Sequence, residues 1–166
     1  MKMIFKPQTE WIPPTDFPDL GKYDEIAVDL ETKDPNLNER MGSGSVVGVG
    51  DVVGISLATH DWCAYYPIAH EGGGNMDRKM VLKWLQDQMN TDSTKIFHNA
   101  MYDICWLRAL GINVKGQIVD TMIAASLVNE NRFRYDLNGL SRDYLGKGKD
   151  ENVLQETAKS WGVDPK

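Results

Sequence analysis

Asp29 and Glu31 are the first residues in this sequence whose types and spacing suit chemistry. They lie in YDEIAVDLET, where Ile26, Val28 and Leu30 alternate with Ala27, Asp29 and Glu31 in the period of a β-strand. Residues two apart on a strand leave the same face, roughly 6.6 Å apart along the backbone. Two carboxylates at that spacing repel, which a solvated strand end tolerates; taken alone, a solvated rim explains the pair. In a cleft the same pair favours a raised pKa or a hard divalent cation. A second cluster, IFHNAMYDICWL, carries Asn99 and Asp103 four apart. On a helix following a strand they lie one above the other on one face, leaving Ile104, Leu107 and Leu110 on the opposite side for a sheet. Asp103, flanked by Tyr102, Ile104, Cys105 and Trp106, stands where a purely structural helix would place an apolar or neutral residue. The alternative is a first-turn acid favoured by the helix dipole. Were the two strands parallel neighbours, their C-terminal ends would meet, and Asp29, Glu31, Asn99 and Asp103 would converge where α/β sites form.

The elements that must position these residues follow from periodicity. VVGISLAT and WCAYYPIAH are two further β-rich runs separated by a turn at His60–Asp61, completing a three-strand meander. GSGSVVGVGD before the second strand lacks the GK[ST] of a phosphate-cradling loop and reads as a flexible connector. Met80, Val81, Trp84, Leu85 and Met89 then recur at helical spacing, with Asp77 placed to cap. TKIFHN is a short strand, AMYDICWLRALG a helix stopped by Gly111, and GQIV a last strand. DTMIAASLVNE, DLNGLSRDYLG and NVLQETAKSWG read as three short helices, with Asp120 and Thr121 suited to a helix start. The order β-β-β-α-β-α-β-α-α-α predicts a mixed α/β domain in which strands linked through helices are parallel.

The chain has 166 residues, enough for one real core, and its composition, 42% hydrophobic and 25% charged, is that of a globular protein. No apolar stretch approaches the roughly 20 residues of a spanning helix, and MKMIFKPQTEWIPP breaks before a signal-peptide core forms, so a cytoplasmic location is expected. Residues 1–20, with Pro7, Pro13, Pro14 and Pro18, read as an extended lead to a domain over 21–166. Cys63 and Cys105 sit in apolar contexts without a CxxC and are expected to be buried free thiols. A net charge of −6 argues against a protein that coats duplex nucleic acid electrostatically. His60 and His70 lie near turns and read as supporting groups rather than metal ligands, Asp120 as a helix cap, and Trp84, Trp106 and Leu107 as core. Arg132, Phe133, Arg134 and Tyr135 interleave basic and aromatic residues, a pattern able to contact single-stranded DNA, although a solvated loop explains it more readily.

VDLET at 28–32, HNAMYD at 98–103 and VDTMIAASLVNENRFRYDLNGLSRDYLG at 119–146 resemble, in order and spacing, the DEDD superfamily of 3′–5′ exonucleases. The resemblance is strongest to the proofreading domain of family A DNA polymerases, of the DNA polymerase I and phage type, and covers about residues 20–150. It implies a ribonuclease H-like fold with a five-stranded mixed sheet, an antiparallel meander plus two parallel strands, flanked by helices. It further implies a two-metal Mg²⁺ or Mn²⁺ site held by Asp29, Glu31 and Asp103, with Asp29 bridging. Leu30 and Thr32 would lie beside the terminal nucleotide and Asn99 beside the penultimate sugar or phosphate. Its partners would be a single-stranded or frayed DNA 3′ end and a polymerase domain of the same parent chain.

One part of the family pattern is missing. No tyrosine here is followed four residues later by aspartate: the residues four after Tyr102, Tyr135 and Tyr144 are Trp106, Gly139 and Gly148. The expectation is a domain incomplete at its C-terminal end, weakly active or inactive, with an apolar face near Leu154 and Trp161 open to self-association. A stand-alone ribonuclease D or Werner-type exonuclease, and a non-catalytic nucleic-acid-binding domain of the same fold, are the alternatives.

Overall fold

The computed structural model describes residues 11–37, 43–150 and 152–162. It forms two compact units, Met1–Thr121 and Met122–Lys166. The first contains β1 (Glu25–Lys33), α1 (Gly44–Val47), β2 (Asp51–Ala58), β3 (Cys63–Pro67), α2 (Arg78–Met89), β4 (Thr94–Phe97), α3 (Ala100–Ala109) and β5 (Ile118–Asp120). Its sheet has the order β3-β2-β1-β4-β5, antiparallel across β1–β2 and β2–β3 and parallel across β1–β4 and β4–β5. This is the expected meander plus two parallel strands, a mixed α/β fold.

Alternation sorts β1 as expected: Ile26, Val28 and Leu30 are buried, while Ala27, Asp29 and Glu31 are exposed. Between Glu31 and Thr32 the pairing with β2 shifts, because Glu31 faces Gly54 and Thr32 faces Val52. The extra residue, Val53, turns its carbonyl to the N–H groups of Ile68 and Ala69 at 2.9 and 3.1 Å. A bulge re-aims neighbouring side chains, and here it falls at the acid pair.

The core gathers the buried face of β1, Val52, Ile55, Leu57 and Tyr66 of the meander, and Val81, Leu85 and Met89 of α2. Asp77 caps α2, its carboxylate accepting the Met80 N–H at 3.0 Å. Of the extended lead, residues 1–10, Pro7 among them, lie outside the described residues, and 11–20 form no helix or strand. That stretch is nevertheless held. Leu20 N–H donates to Gln88 Oε1 at 2.7 Å, Trp84 Nε1 donates to Pro18 O at 2.8 Å, and Phe17 packs on Tyr66 and Trp84.

Three expectations need correction. The glycine-rich connector is a capped helical turn: Ser43 accepts the Ser45 N–H, and both Asp34 carboxylate oxygens accept the Gly44 N–H at 3.1 and 3.0 Å. Cys63 is exposed and Cys105 half-buried, because Cys63 opens the edge strand β3 on its outward side. Asp103 belongs to the buried seam of α3, with Ala100, Trp106 and Leu107, rather than to a face opposite the apolar one. Nothing in its sequence context distinguishes Lys95, which is fully buried and donates to the carbonyls of Thr91 and Ser93. Burial lowers its pKa, opposed by the charge of Asp92.

The second unit comprises α4 (Thr121–Val128) beyond its first residue, α5 (Leu137–Leu145) and α6 (Asn152–Trp161). Asp136 caps α5 through the Gly139 N–H at 2.9 Å. In the basic-aromatic segment, Arg132 is paired with Asp143 at 2.5 Å, Tyr135 Oη donates to Asn129 O at 2.7 Å, and Phe133 is fully exposed. Leu154 lies outside the described side chains, while Trp161 is exposed.

Candidate active site

The parallel pairing of β1 with β4 runs only from Glu25↔Thr94 to Ala27↔Ile96. Past that point β4 ends and α3 begins, so the neighbouring edge of β1 needs another hydrogen-bond acceptor. Asp103 supplies it: its Oδ1 accepts the Leu30 N–H at 3.0 Å. The carboxyl is 4% exposed. Burial, the largest cause, pushes its pKa up to about 7; the charges of Asp29 and Asp120 push the same way, against the Leu30 N–H. A buried acid that sees two other carboxylates favours a proton or a cation over a bare charge.

Helix α3 starts in an unusual way. Asn99 has φ +67° and makes no side-chain cap. The capping oxygens come from the end of β5: Asp120 Oδ1 accepts the Asn99 N–H at 3.1 Å and Oδ2 the Ala100 N–H at 2.8 Å. Asp120 is thus a cap, as expected, but of α3 rather than of the helix that follows it. Thr121 Oγ1 donates to Phe97 O at 3.1 Å and lies 2.9 Å from His98 Nδ1, joining the same two strand ends.

The remaining predicted residues are distributed around this point. Asp29 and Glu31 are exposed on one face of β1. The Leu30 side chain is in the core, and only its N–H reaches the acids. The Thr32 hydroxyl lies 2.6 Å from that of Tyr102, which donates to Asp34 Oδ2 at 3.2 Å. Asn99 is exposed at the start of α3. Asp29 and Asp103 are therefore brought together electrostatically, whereas Glu31 faces Gly54 and raises the proton affinity of Tyr65. Among the described residues no three His, Cys, Asp or Glu side chains gather into a group able to hold a metal ion. The donor chemistry still suits a hard cation, since carboxylate oxygens are the preferred ligands of Mg²⁺ and Mn²⁺. Sequence reasoning missed Asp34 and Tyr102, which meet each other from 68 residues apart, and Tyr65, whose phenol is bonded to His70.

Residues 17–166 match the model of a 3′–5′ exonuclease family, that of family A DNA polymerases. The chain belongs to that family. Nucleases of the family are in general divalent-metal dependent. A DNA-directed DNA polymerase of Pseudomonas phage M6 is 32% identical to this exonuclease chain over 165 residues, covering 95% of it and 25% of the polymerase. DNA polymerase I of Pseudomonas aeruginosa is 32% identical over 154 residues, covering 87% of this chain and 16% of the polymerase. The chain thus spans a quarter or less of the length of these curated relatives. Brucella melitensis NrnC, solved with bound Mg²⁺, matches with a TM-score of 0.55 at 17% identity, over 85% of this chain and 62% of that one. The fold is the ribonuclease H-like exonuclease fold.

Proposed function

We propose that this chain is the proofreading module of a family A DNA polymerase, hydrolysing single nucleotides from DNA 3′ ends, and that residues 21–166 serve it as one exonuclease domain. The observation that carries the reading is the buried Asp103 carboxyl, held by the Leu30 N–H and pushed up to about 7 beside Asp29. Asp29, Glu31 and Asp103 are the residues that would hold Mg²⁺ or Mn²⁺. Once bound, such ions supply an activated water and neutralise charge on the leaving 3′ oxygen. The chain itself fixes Asp103 through one backbone bond, holds the Thr32 hydroxyl through Tyr102, and exposes Asn99 next to the start of α3 for a sugar or phosphate. The bacterial and phage polymerases among the relatives support a polymerase domain as the partner and the cytoplasm as the location. In the second unit, exposed Leu127, Val128, Phe133 and Leu145 support self-association, which light scattering measures.

The test is an end-labelled oligonucleotide assay in Mn²⁺ with long incubations. A ladder shortened one nucleotide at a time from the 3′ end is expected. Asp29→Asn and Asp103→Asn should each lower its rate by about two orders of magnitude or more. Internal cuts, or activity on RNA alone, would sink the reading; the latter would favour a ribonuclease D-like enzyme.

A further inference from the structure

The sheet face that carries Asp29 and Glu31 carries a second constellation. Register pairs Asp29 with Ser56 and Ser56 with Tyr65, and pairs Glu31 with Gly54. Tyr65 leaves its own row and lies across Gly54: a Cβ added there would meet the phenol oxygen at 1.8 Å and ring atoms at 2.3 and 2.5 Å. Directly paired residues of an antiparallel sheet have Cα atoms about 5 Å apart. The hydroxyl of Tyr65 therefore sits over the residue that faces Glu31. Glycine inside a strand weakens it and marks a close approach; here what approaches is a phenol.

That phenol is braced from behind. His70 Nε2 is hydrogen-bonded to Tyr65 Oη. The His70 backbone is clamped in turn, its N–H donating to Asn75 Oδ1 at 2.7 Å and its carbonyl accepting from Asn75 Nδ2 at 2.8 Å. One residue on, Glu71 pairs with Lys33 at the end of β1. Tyr65 and His70 are nevertheless only half-buried, so a ligand on this face can reach them. Burial, with the charge of Glu31 adding, keeps the phenol protonated, its pKa raised to about 12. With the imidazole proton on Nε2, His70 donates to Tyr65 Oη and leaves the phenol proton for a ligand. A phosphodiester approaching Asp29, Glu31 and Asp103 meets like charge, and a neutral donor eases that approach while leaving the carboxylates ionised.

We propose that Tyr65, braced by His70, is a substrate-contacting residue: its hydroxyl donates to a non-bridging oxygen of the terminal phosphodiester beside Glu31. This rests on the exonuclease reading above. The experiment measures kcat and KM of the 166-residue chain on a 5′-fluorescein-labelled oligo(dT) in Mn²⁺, together with the rate ratio between phosphate and each phosphorothioate diastereomer at the terminal linkage. Thermal midpoints are recorded for every variant. Tyr65→Phe is expected to lower kcat about tenfold or more, to leave the thermal midpoint in place, and to collapse the sulfur effect of one diastereomer. His70→Ala should follow in the same direction, with His70→Gln recovering part of the loss. Unchanged kcat and sulfur effect in Tyr65→Phe, while the parent chain is active and Asp29→Asn is dead, would overturn this proposal alone. So would a loss that tracks a lowered thermal midpoint with the sulfur effect intact, since that is a structural role. An Asp29→Asn variant as active as the parent would remove the assignment of the acid site and this proposal with it.

Discussion

Asp103 shows how far a single residue can be understood from its neighbours in sequence. An acid among Tyr102, Ile104, Cys105 and Trp106 is conspicuous, and it stands out from the sequence alone. Its direction is another matter. The helical period that places Asp103 with Asn99 also places it with Ala100, Trp106 and Leu107, and the sequence holds no rule for choosing the seam. The choice is made by the Leu30 N–H, which loses its strand partner where β4 ends. The raised carboxyl carries a prediction with a definite sign. In chelator, the folded state holds this proton up to about pH 7, whereas an unfolded chain releases it near 3.8. The stability it contributes is complete below about pH 4, declines as the pH rises to 7, and is gone above; the span is worth roughly 4 kcal/mol. Asp103→Asn keeps an acceptor for Leu30 and removes the buried charge. Metal-free, it should be more stable than the parent at pH 8, by roughly 1–4 kcal/mol, and close to it at pH 4. Urea midpoints at the two pH values check this, and a less stable variant at pH 8 would contradict it.

Among the elements, those with several periods of pattern are the legible ones. β1 alternates over its length and is found from sequence with its buried side correct; α2 repeats its apolar residues behind an aspartate cap, and Val81, Trp84, Leu85 and Met89 are buried as expected, although Met80 is exposed and Gln88 is buried. α1 is one turn long, too short for any period, and its N-terminus depends on Asp34, ten residues upstream. Gly48 closes it with φ +73°, a conformation glycine adopts without strain. The cap of α3 fails to read for the same reason: Asp120 precedes one helix in sequence but reaches across two parallel strand ends to another. Because Asn99 caps nothing with its own side chain, the start of α3 relies on that carboxylate. Asp120→Ala should cost about 1–2 kcal/mol and, by removing a charge that raises Asp103, should lower the Asp103 pKa. Chemical denaturation gives the first quantity and carbon-13 NMR titration of the carboxyls gives the second. A variant as stable as the parent would mean that the two N–H groups find another acceptor.

At the scale of the whole molecule, the arrangement of charge decides how the chain can hold a nucleic acid. Its 18 Lys and Arg are outnumbered by 24 Asp and Glu. Several of the cations are already engaged: Lys33 with Glu71, Arg78 with Asp51 through two 2.7 Å bonds, Arg132 with Asp143, and Lys95 within the core. The acid face exposes Asp29 and Glu31, and the charge of Asp29 reaches the buried Asp103 carboxyl. A duplex laid on such a surface gains little from counterion release, because each phosphate must meet a free cation for an ion to leave. A frayed end needs far fewer such contacts, with one phosphodiester at the acids and neighbouring bases against side chains. The salt dependence of binding should therefore be shallow. For an oligo(dT) in Mn²⁺ with the inactive Asp29→Asn chain, the slope of log affinity against log salt should lie between 0 and about −2, the value for two or three neutralised phosphates. A blunt duplex of equal length should bind more weakly at every salt concentration. Fluorescence anisotropy across a salt series measures both quantities. A slope steeper than about −4, or a preference for the duplex, would place a basic groove somewhere other than this face and overturn the assignment of the acid face as the entry point of the 3′ end.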